Sequence, residues 1–286
     1  MSTTSRVFIS PLAKRLIKEH GLQIHSIVGS GPNGRIVRRD VEALVGIEKP
    51  KSPFATNAPS EFELVPHTRI RKTVARRLTE CKSTVPHFYM NTPVNVDKLF
   101  KLRINLNNQN TIKVSVTDLL LKIVAQSYID VPDANVTWTD EALKKYRNVD
   151  VALAVATDKG LMAPVLRSLD KMTLSELNAS ANDLIDRARS GKLKIEEIEG
   201  GTISLTNLGM FGIDQFSAIL NPPQSLILAV GAAKPTPVVI DNKLEIATVM
   251  NVTLSVDHRA IDGALAAQWL NAFVNRCENP EWLNAI

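Results

Sequence analysis

A stretch from 47 to 61, IEKPKSPFATNAPSE, constrains this chain more than any other feature. It holds three prolines among small and charged residues and shows no apolar period. Proline fixes φ and gives up its N–H, so such a segment reads as a stiffened, extended linker. A chain of 286 residues is long enough for roughly two domains at ~100–200 residues each. The break therefore predicts a small unit over 5–46 and a larger one over 62–286.

The small unit announces its helices. Ser10 followed by Pro11 supplies a hydroxyl cap and a proline at the first helical position. Leu12, Leu16 and Ile17 form one apolar stripe, and Gly21 stands where that helix should stop. A loop, Gly29-Ser-Gly-Pro-Asn-Gly34, leads to a second short helix over Arg38 to Val45 bearing Val41 and Leu44. Two short helices and a loop bury little apolar area, which suits a recognition module better than a catalytic one.

Charge points the same way. Residues 1–46 carry seven basic residues against three acidic ones, a net +4, out of +5 for the whole chain. Lys14, Arg15, Lys18, Arg35, Arg38 and Arg39 are thus the expected basic face for an acidic protein partner. Nucleic acid is the competing partner, but no aromatic residues interleave with these arginines and no zinc or RNP-type motif is present. Two cysteines, Cys81 and Cys277, make no disulfide framework, and no CxxC or Cys/His cluster offers a metal site. This usage suits a reducing compartment. No apolar run nears the ~20 residues that cross a bilayer, and the stretch MSTTSRVFISPLAKRL has neither the basic start nor the apolar run of a secretory signal, so none is expected there.

The larger unit mixes helices and strands in an α+β pattern, without a βαβ repeat. Ile70, Val74 and Leu78 recur on a basic helix, and Phe88 to Val96 reads as a strand. Ser115-Val-Thr-Asp118 and Thr173-Leu-Ser-Glu176 are capping boxes that open two further helices. Val149 to Leu166 reads as two strands joined at Asp158-Lys-Gly160, and a hairpin turns at Asp241-Asn242-Lys243. Alternating Val252, Leu254 and Val256 run directly into His258, and a last helix fills Gly263 to Cys277.

The stretch Ser255-Val-Asp-His-Arg-Ala-Ile-Asp-Gly263 is where chemistry gathers. A histidine at a strand end, four residues before an Asp-Gly that opens a helix, can be presented into a cleft. Alone it is a weak pattern. Together with Gly200 to Gly212, Asn221-Pro-Pro-Gln224, Val85 to Met90 and the Asp150 to Pro164 hairpin, it resembles the catalytic domain of the E2 acyltransferases. These form the cores of 2-oxo acid dehydrogenase complexes. The first 46 residues likewise resemble the peripheral subunit-binding domain of those proteins, through Ser10-Pro-Leu-Ala13 and Gly29 to Asp40. Asn207 to Gly212 and Asp257 to Leu270 look most like the acetyl-transferring members that serve pyruvate dehydrogenase.

The resemblance implies a chloramphenicol-acetyltransferase-like fold and transfer of an acetyl group between dihydrolipoamide and coenzyme A. A thiol with pKa near ~8.5 is mostly protonated at neutral pH, so a base must generate the attacking thiolate. His258 is the expected base, Thr206 the hydroxyl that steadies the oxyanion, and Asp262 the support of the histidine loop or a helix cap. Many family members have serine where Thr206 stands. Arg103, Ser115, Asn207 and Gly231 match positions that contact coenzyme A in related sequences, and an arginine fork suits a nucleotide phosphate. His87 is expected to be structural, and both cysteines to be packing residues.

Asp170-Lys171-Met172 resembles the tip on which lipoyl domains carry lipoamide, but it lies just before a capped helix, so Lys171 is expected on the surface. The lipoyl group is then expected from a lipoyl domain absent from this chain. The resemblance further implies homotrimers assembling into 24- or 60-subunit shells. It implies docking of dihydrolipoamide dehydrogenase (E3) or the pyruvate decarboxylase subunit (E1), in bacterial cytoplasm or the mitochondrial matrix. A non-catalytic E3-binding scaffold, or an E2 for succinyl or branched acyl groups, is the alternative.

Overall fold

A computed structural model describes residues 7–45, 62–109, 113–158 and 160–285. The chain divides into two compact units, Met1–Pro66 and His67–Ile286. The linker expected at 47–61 lies outside the described residues.

In the first unit, α1 (Pro11–Glu19) begins where Ser10 accepts the Ala13 N–H at 3.3 Å. α2 (Arg38–Val45) packs against it, and Ala13, Ile17, Ile27, Ile36 and Val41 form the buried core. So small a core needs its loop fixed by polar contacts. Asp40 does this, accepting the backbone N–H groups of Ser30 and Val37, each at 2.9 Å, and the Ser30 hydroxyl at 2.5 Å. These bonds, the Ser30 hydroxyl foremost, hold the Asp40 carboxyl below the usual carboxylate range.

The second unit opens with α3 (Arg69–Thr84), capped by Thr68, and β1 (His87–Asn95). Next come α4 (Asp97–Gln109) and α5 (Val116–Asp130), the latter started by the Ser115/Asp118 capping box. A two-stranded ribbon, β2 (Val136–Trp138) and β3 (Leu143–Lys145), follows. The segment from 149 to 166 is four short strands: β4 (Val151–Leu153), β5 (Val155–Thr157), β6 (Gly160–Met162) and β7 (Val165–Leu166). This corrects the expected two strands. Pro164 has no N–H to continue the ladder, so β4 and β7 stay in the main sheet while β5 and β6 pair only with each other.

α6 (Leu174–Arg189) starts at the Thr173/Glu176 capping box. β8 (Ile203–Asn207) leads to the long strands β9 (Leu226–Ile240) and β10 (Lys243–Asp257), and α7 (Gly263–Glu278) closes the unit. Asp241 and Asn242 both have positive φ, the requirement of a tight two-residue hairpin between right-twisted strands.

The main sheet has the order β1-β10-β9-β8-β4-β7; β8 runs parallel to β9 and β4, and the other pairs are antiparallel. Val252, Leu254 and Val256 are fully buried in the core that also holds Trp269 and Phe273 of α7 and Leu120 of α5. The opposite pleat of β10 presents Thr253, Ser255 and Asp257. An extended strap, residues 213–220, is tied to the sheet along its length. Ala232 donates its N–H to Ile213 O at 2.8 Å, the Ser255 hydroxyl donates to Ala218 O at 2.7 Å, and the Leu220 N–H donates to His87 Nε2 at 3.2 Å.

Candidate active site

The functional residues expected from the sequence fall into two groups, one at each end of the central strands. At one end β10 stops at Asp257 and turns. The His258 N–H is fixed to Pro86 O at 3.0 Å, and Asp257 O receives the N–H groups of Ala260 and Ile261, both at 3.1 Å. His258 is exposed, and its imidazole packs on the Phe88 ring with centroids 4.5 Å apart. Asp262 caps α7 by accepting the Leu265 N–H at 2.8 Å, so it fixes the chain that leaves the turn.

Sequence reasoning assigned nothing to Asp257, which is 4% exposed. Its carboxylate receives the Arg259 Nε at 3.0 Å, Nη2 at 2.8 Å and the Arg259 backbone N–H at 3.0 Å. The same hydrogen-bonded carboxylate raises the Arg259 guanidinium above its ordinary range. A carboxylate two residues before an arginine at a strand end was the available signal, but burial was needed to read it.

Thr206 lies at the other end, half-buried on β8, and its hydroxyl has no partner among the described residues. Around it stand the four positions expected at coenzyme A. Asn207 accepts the Gly209 N–H at 2.9 Å and donates to the Thr117 hydroxyl at 3.3 Å, which ties β8 to the first turn of α5. Ser115 caps that helix. Arg103 donates Nε to Val114 O at 2.9 Å, leaving the two terminal nitrogens of its fork unpartnered among the described residues. Gly231 sits where the loop after β8 crosses β9, and a Cβ there would come within 2.0 Å of Asp214 O. Its role in the fold is close backbone approach.

The two groups do not meet within one chain. Thr206 pairs with Ala229, and Ala229 with Thr253 on β10. His258 is five residues beyond Thr253, so the pair is separated by about 16 Å along the strands and ~10 Å across them.

Other expectations are located as well. His87 engages both ring nitrogens, Nδ1 with Val85 O at 2.8 Å and Nε2 with the Leu220 N–H. Burial pushes the thiols of Cys81 and Cys277 up, away from thiolate chemistry. Lys171 is exposed and donates to Asn148 Oδ1 at 2.8 Å. On the small unit Lys14, Arg15, Lys18 and Arg35 are exposed and without side-chain partners among the described residues. Arg38 pairs with Glu42, and Arg39 donates to the Ser30 hydroxyl at 2.8 Å. Among the described residues no helix is long and apolar enough to cross a membrane.

Comparison with known proteins meets this geometry at both units. Residues 59–285 match the model of the 2-oxoacid dehydrogenases acyltransferase catalytic domain, and residues 7–42 match that of the e3 binding domain. The dihydrolipoyllysine-residue acetyltransferase component of the pyruvate dehydrogenase complex of Rickettsia bellii is 44% identical over 280 residues. That alignment covers 96% of this chain and 67% of the relative. A solved structure of the Azotobacter vinelandii dihydrolipoamide acetyltransferase superposes with a TM-score of 0.75 at 31% identity, over 82% of this chain and 98% of that one. The cubic core of a pyruvate dehydrogenase multienzyme complex gives 0.75 at 30% identity, over the same shares of both chains. The Azotobacter work concerns the catalytic roles of a serine, a histidine and an asparagine spaced 52 and 4 positions apart. Thr206, His258 and Asp262 have the same two spacings, with threonine in place of the serine and aspartate in place of the asparagine. With a subunit-binding module ahead of a mixed-sheet core that carries this spacing, the chain belongs to the 2-oxoacid dehydrogenase acyltransferase family.

Proposed function

We propose that this chain transfers an acetyl group between dihydrolipoamide and coenzyme A, in a site that two neighbouring copies build together. The observation that carries this reading is the shared spacing of Thr206, His258 and Asp262, held on one sheet with its two reactive ends apart. In a closed ring of protomers the Thr206 end of one chain faces the His258 end of the next. This is a heterologous contact of the kind that closes a trimer. Such trimers assemble further into a 24- or 60-subunit shell.

His258 then takes the proton of the incoming thiol. The thiolate adds to the thioester carbonyl carbon, and the oxyanion that forms accepts a hydrogen bond from the Thr206 hydroxyl. Collapse breaks the original carbon–sulfur bond, and the departing thiolate recovers the proton from the imidazolium. The unpartnered hydroxyl at 206 suits this task, because no internal bond must break first. Asp262 holds the histidine turn to α7. Arg103, Ser115, Asn207 and Gly231 cluster near Thr206, so coenzyme A is read as entering from that end. The thiol of dihydrolipoamide, carried on a lipoyl domain, approaches His258 from the other. The N-terminal module docks E3 or E1 through its basic face, in bacterial cytoplasm or the mitochondrial matrix.

The test is acetyl transfer from acetyl-CoA to free dihydrolipoamide. His258→Ala is expected to lower turnover by ~10²-fold or more while particle mass is unchanged. Full activity in that variant overturns the reading.

A further inference from the structure

The Asp257–Arg259 pair encloses His258 in sequence and reaches beyond the turn that presents it. Asp257 is nearly fully buried, and a buried carboxylate requires a counter-charge. Arg259 supplies it through two parallel bonds, a geometry that fixes orientation as well as charge. The guanidinium is in turn seated over the Trp138 ring, 5.5 Å from its centroid. Trp138 comes from the β2–β3 ribbon, which contributes no strand to the main sheet. That ribbon is anchored independently, because Asn135 donates to Tyr146 O at 3.1 Å and Asn148 O at 3.0 Å and accepts the Thr202 hydroxyl at 2.7 Å.

We propose that Arg259, braced by Trp138, is a positioning residue that neutralises Asp257 so that the adjacent imidazole is free to accept a proton from the thiol. The inference rests on the reading of His258 as the base. Asp257 without its partner would place a bare negative charge one residue from His258 and favour the imidazolium, which cannot act as a base. Arg259 without Asp257 would do the reverse. The other titratable groups around the turn are Asp262 on its own segment and His87 on β1. Cys81 and Lys82 come from α3, as do Arg77 and Glu80, which with Glu199 line the same cavity as Arg259, and Asp140 comes from the ribbon turn facing Arg259. His87 is committed to Val85 O and Leu220 N, and the Cys81 thiol is held neutral by burial. Lys82 is bonded to the Tyr89 hydroxyl. Asp257 and Arg259 flank His258 in the chain, one charge on each side of it.

Two single substitutions of opposite sign test this in the assembled protein. Arg259→Met should move the acid limb of the kcat/KM profile upward by about 0.5–1 pH unit, and Asp257→Asn should move it downward by a similar amount. The double variant should return it to within a few tenths of the starting value. KM for coenzyme A should stay within about two-fold, since the Arg259 side chain is bonded to Asp257 and seated on Trp138 and makes no contact with Arg103 or Ser115. The same shifts should appear without catalysis, in the pH dependence of diethylpyrocarbonate modification of His258 followed by peptide mass spectrometry. If either single variant does not assemble, the other still carries a predicted sign. An unmoved modification profile in every assembled variant overturns the inference. Undiminished turnover in His258→Ala overturns the assignment of the base instead, whatever the modification profile shows.

Discussion

The His258 imidazole lies on the Phe88 ring, 4.5 Å between centroids with the planes 51° apart, and Phe88 sits across from Val256 at the end of β10. A strand thus hands its neighbour a flat apolar shelf where the neighbour stops. Orientation of a base carries a large share of its value, because displacement near 1 Å can cost ~10²-fold in rate. Phe88→Ala should therefore lower kcat by roughly ten-fold or more. KM for coenzyme A should remain near its original value. Steady-state kinetics in both substrates checks this; an equal rise in KM for coenzyme A would mean that Phe88 also shapes the coenzyme A site that the facing copy brings to His258.

Gly231 makes a second, purely steric prediction. Its missing Cβ is the space that Asp214 O occupies, and backbone on both sides has no rotamer with which to yield. Gly231→Ala should destabilise the core by at least ~1–3 kcal/mol, the usual range for overpacking. Thermal melting of the assembled particle reads it. Gly212, where nothing lies within 4 Å, offers the contrast of a site limited only by its positive φ.

The Arg103 fork gives a binding prediction. Its Nε is spent on Val114 O, and its remaining nitrogens are available to a phosphate. Arg103→Lys keeps the charge and loses the fork, so KM for coenzyme A should rise about ten-fold with little change in kcat. A kcat loss without a KM change would assign Arg103 to scaffolding of the 114–118 turn.

Acid should loosen the small module through Asp40. Its native pKa is depressed below the unfolded value by the Ser30 hydroxyl and the Val37 N–H, so its contribution is complete above the unfolded pKa near ~3.9. That contribution is lost as pH falls through the lower native value. Amide exchange at Ser30 and Val37 in the full chain should accelerate over that window beyond the intrinsic change, and Asp40→Asn should abolish the extra acceleration.

Docking separates the six basic residues. Lys14, Arg15, Lys18 and Arg35 have no internal partners among the described residues, whereas Arg38 and Arg39 are engaged with Glu42 and Ser30. Substituting Lys14 or Arg15 by alanine should weaken E3 binding and flatten its salt dependence more than Arg38→Ala does. Calorimetry at two ionic strengths decides it.

Local signals were legible wherever one short segment determines its own conformation. The capping boxes at Ser115 and Thr173, the Ser10-Pro11 helix start and the turn at Asp241-Asn242 all appear as read, because caps and tight turns are satisfied within four residues. Non-local features were not. The division of 149–166 depends on which partners β4 and β7 find, and the ladder break at Pro164 matters only once those partners exist. The periodic Ile70, Val74 and Leu78 mark a helix truly, yet all three are exposed, and periodicity says nothing of what covers a stripe. Trp138 and Arg259 are 121 positions apart, so no spacing rule links them. His258 was legible as a residue but not as a neighbour of a buried carboxylate paired with an exposed arginine.

The distance between Thr206 and His258 has one more consequence. If each reactive centre needs both and neither can come from the same protomer, chains bearing Thr206→Ala and chains bearing His258→Ala, inert separately, should regain roughly a quarter of normal turnover when co-assembled at random. By the same logic, a single copy apart from its companions should transfer no acetyl group, so on this reading separation of the subunits switches the chemistry off by geometry alone.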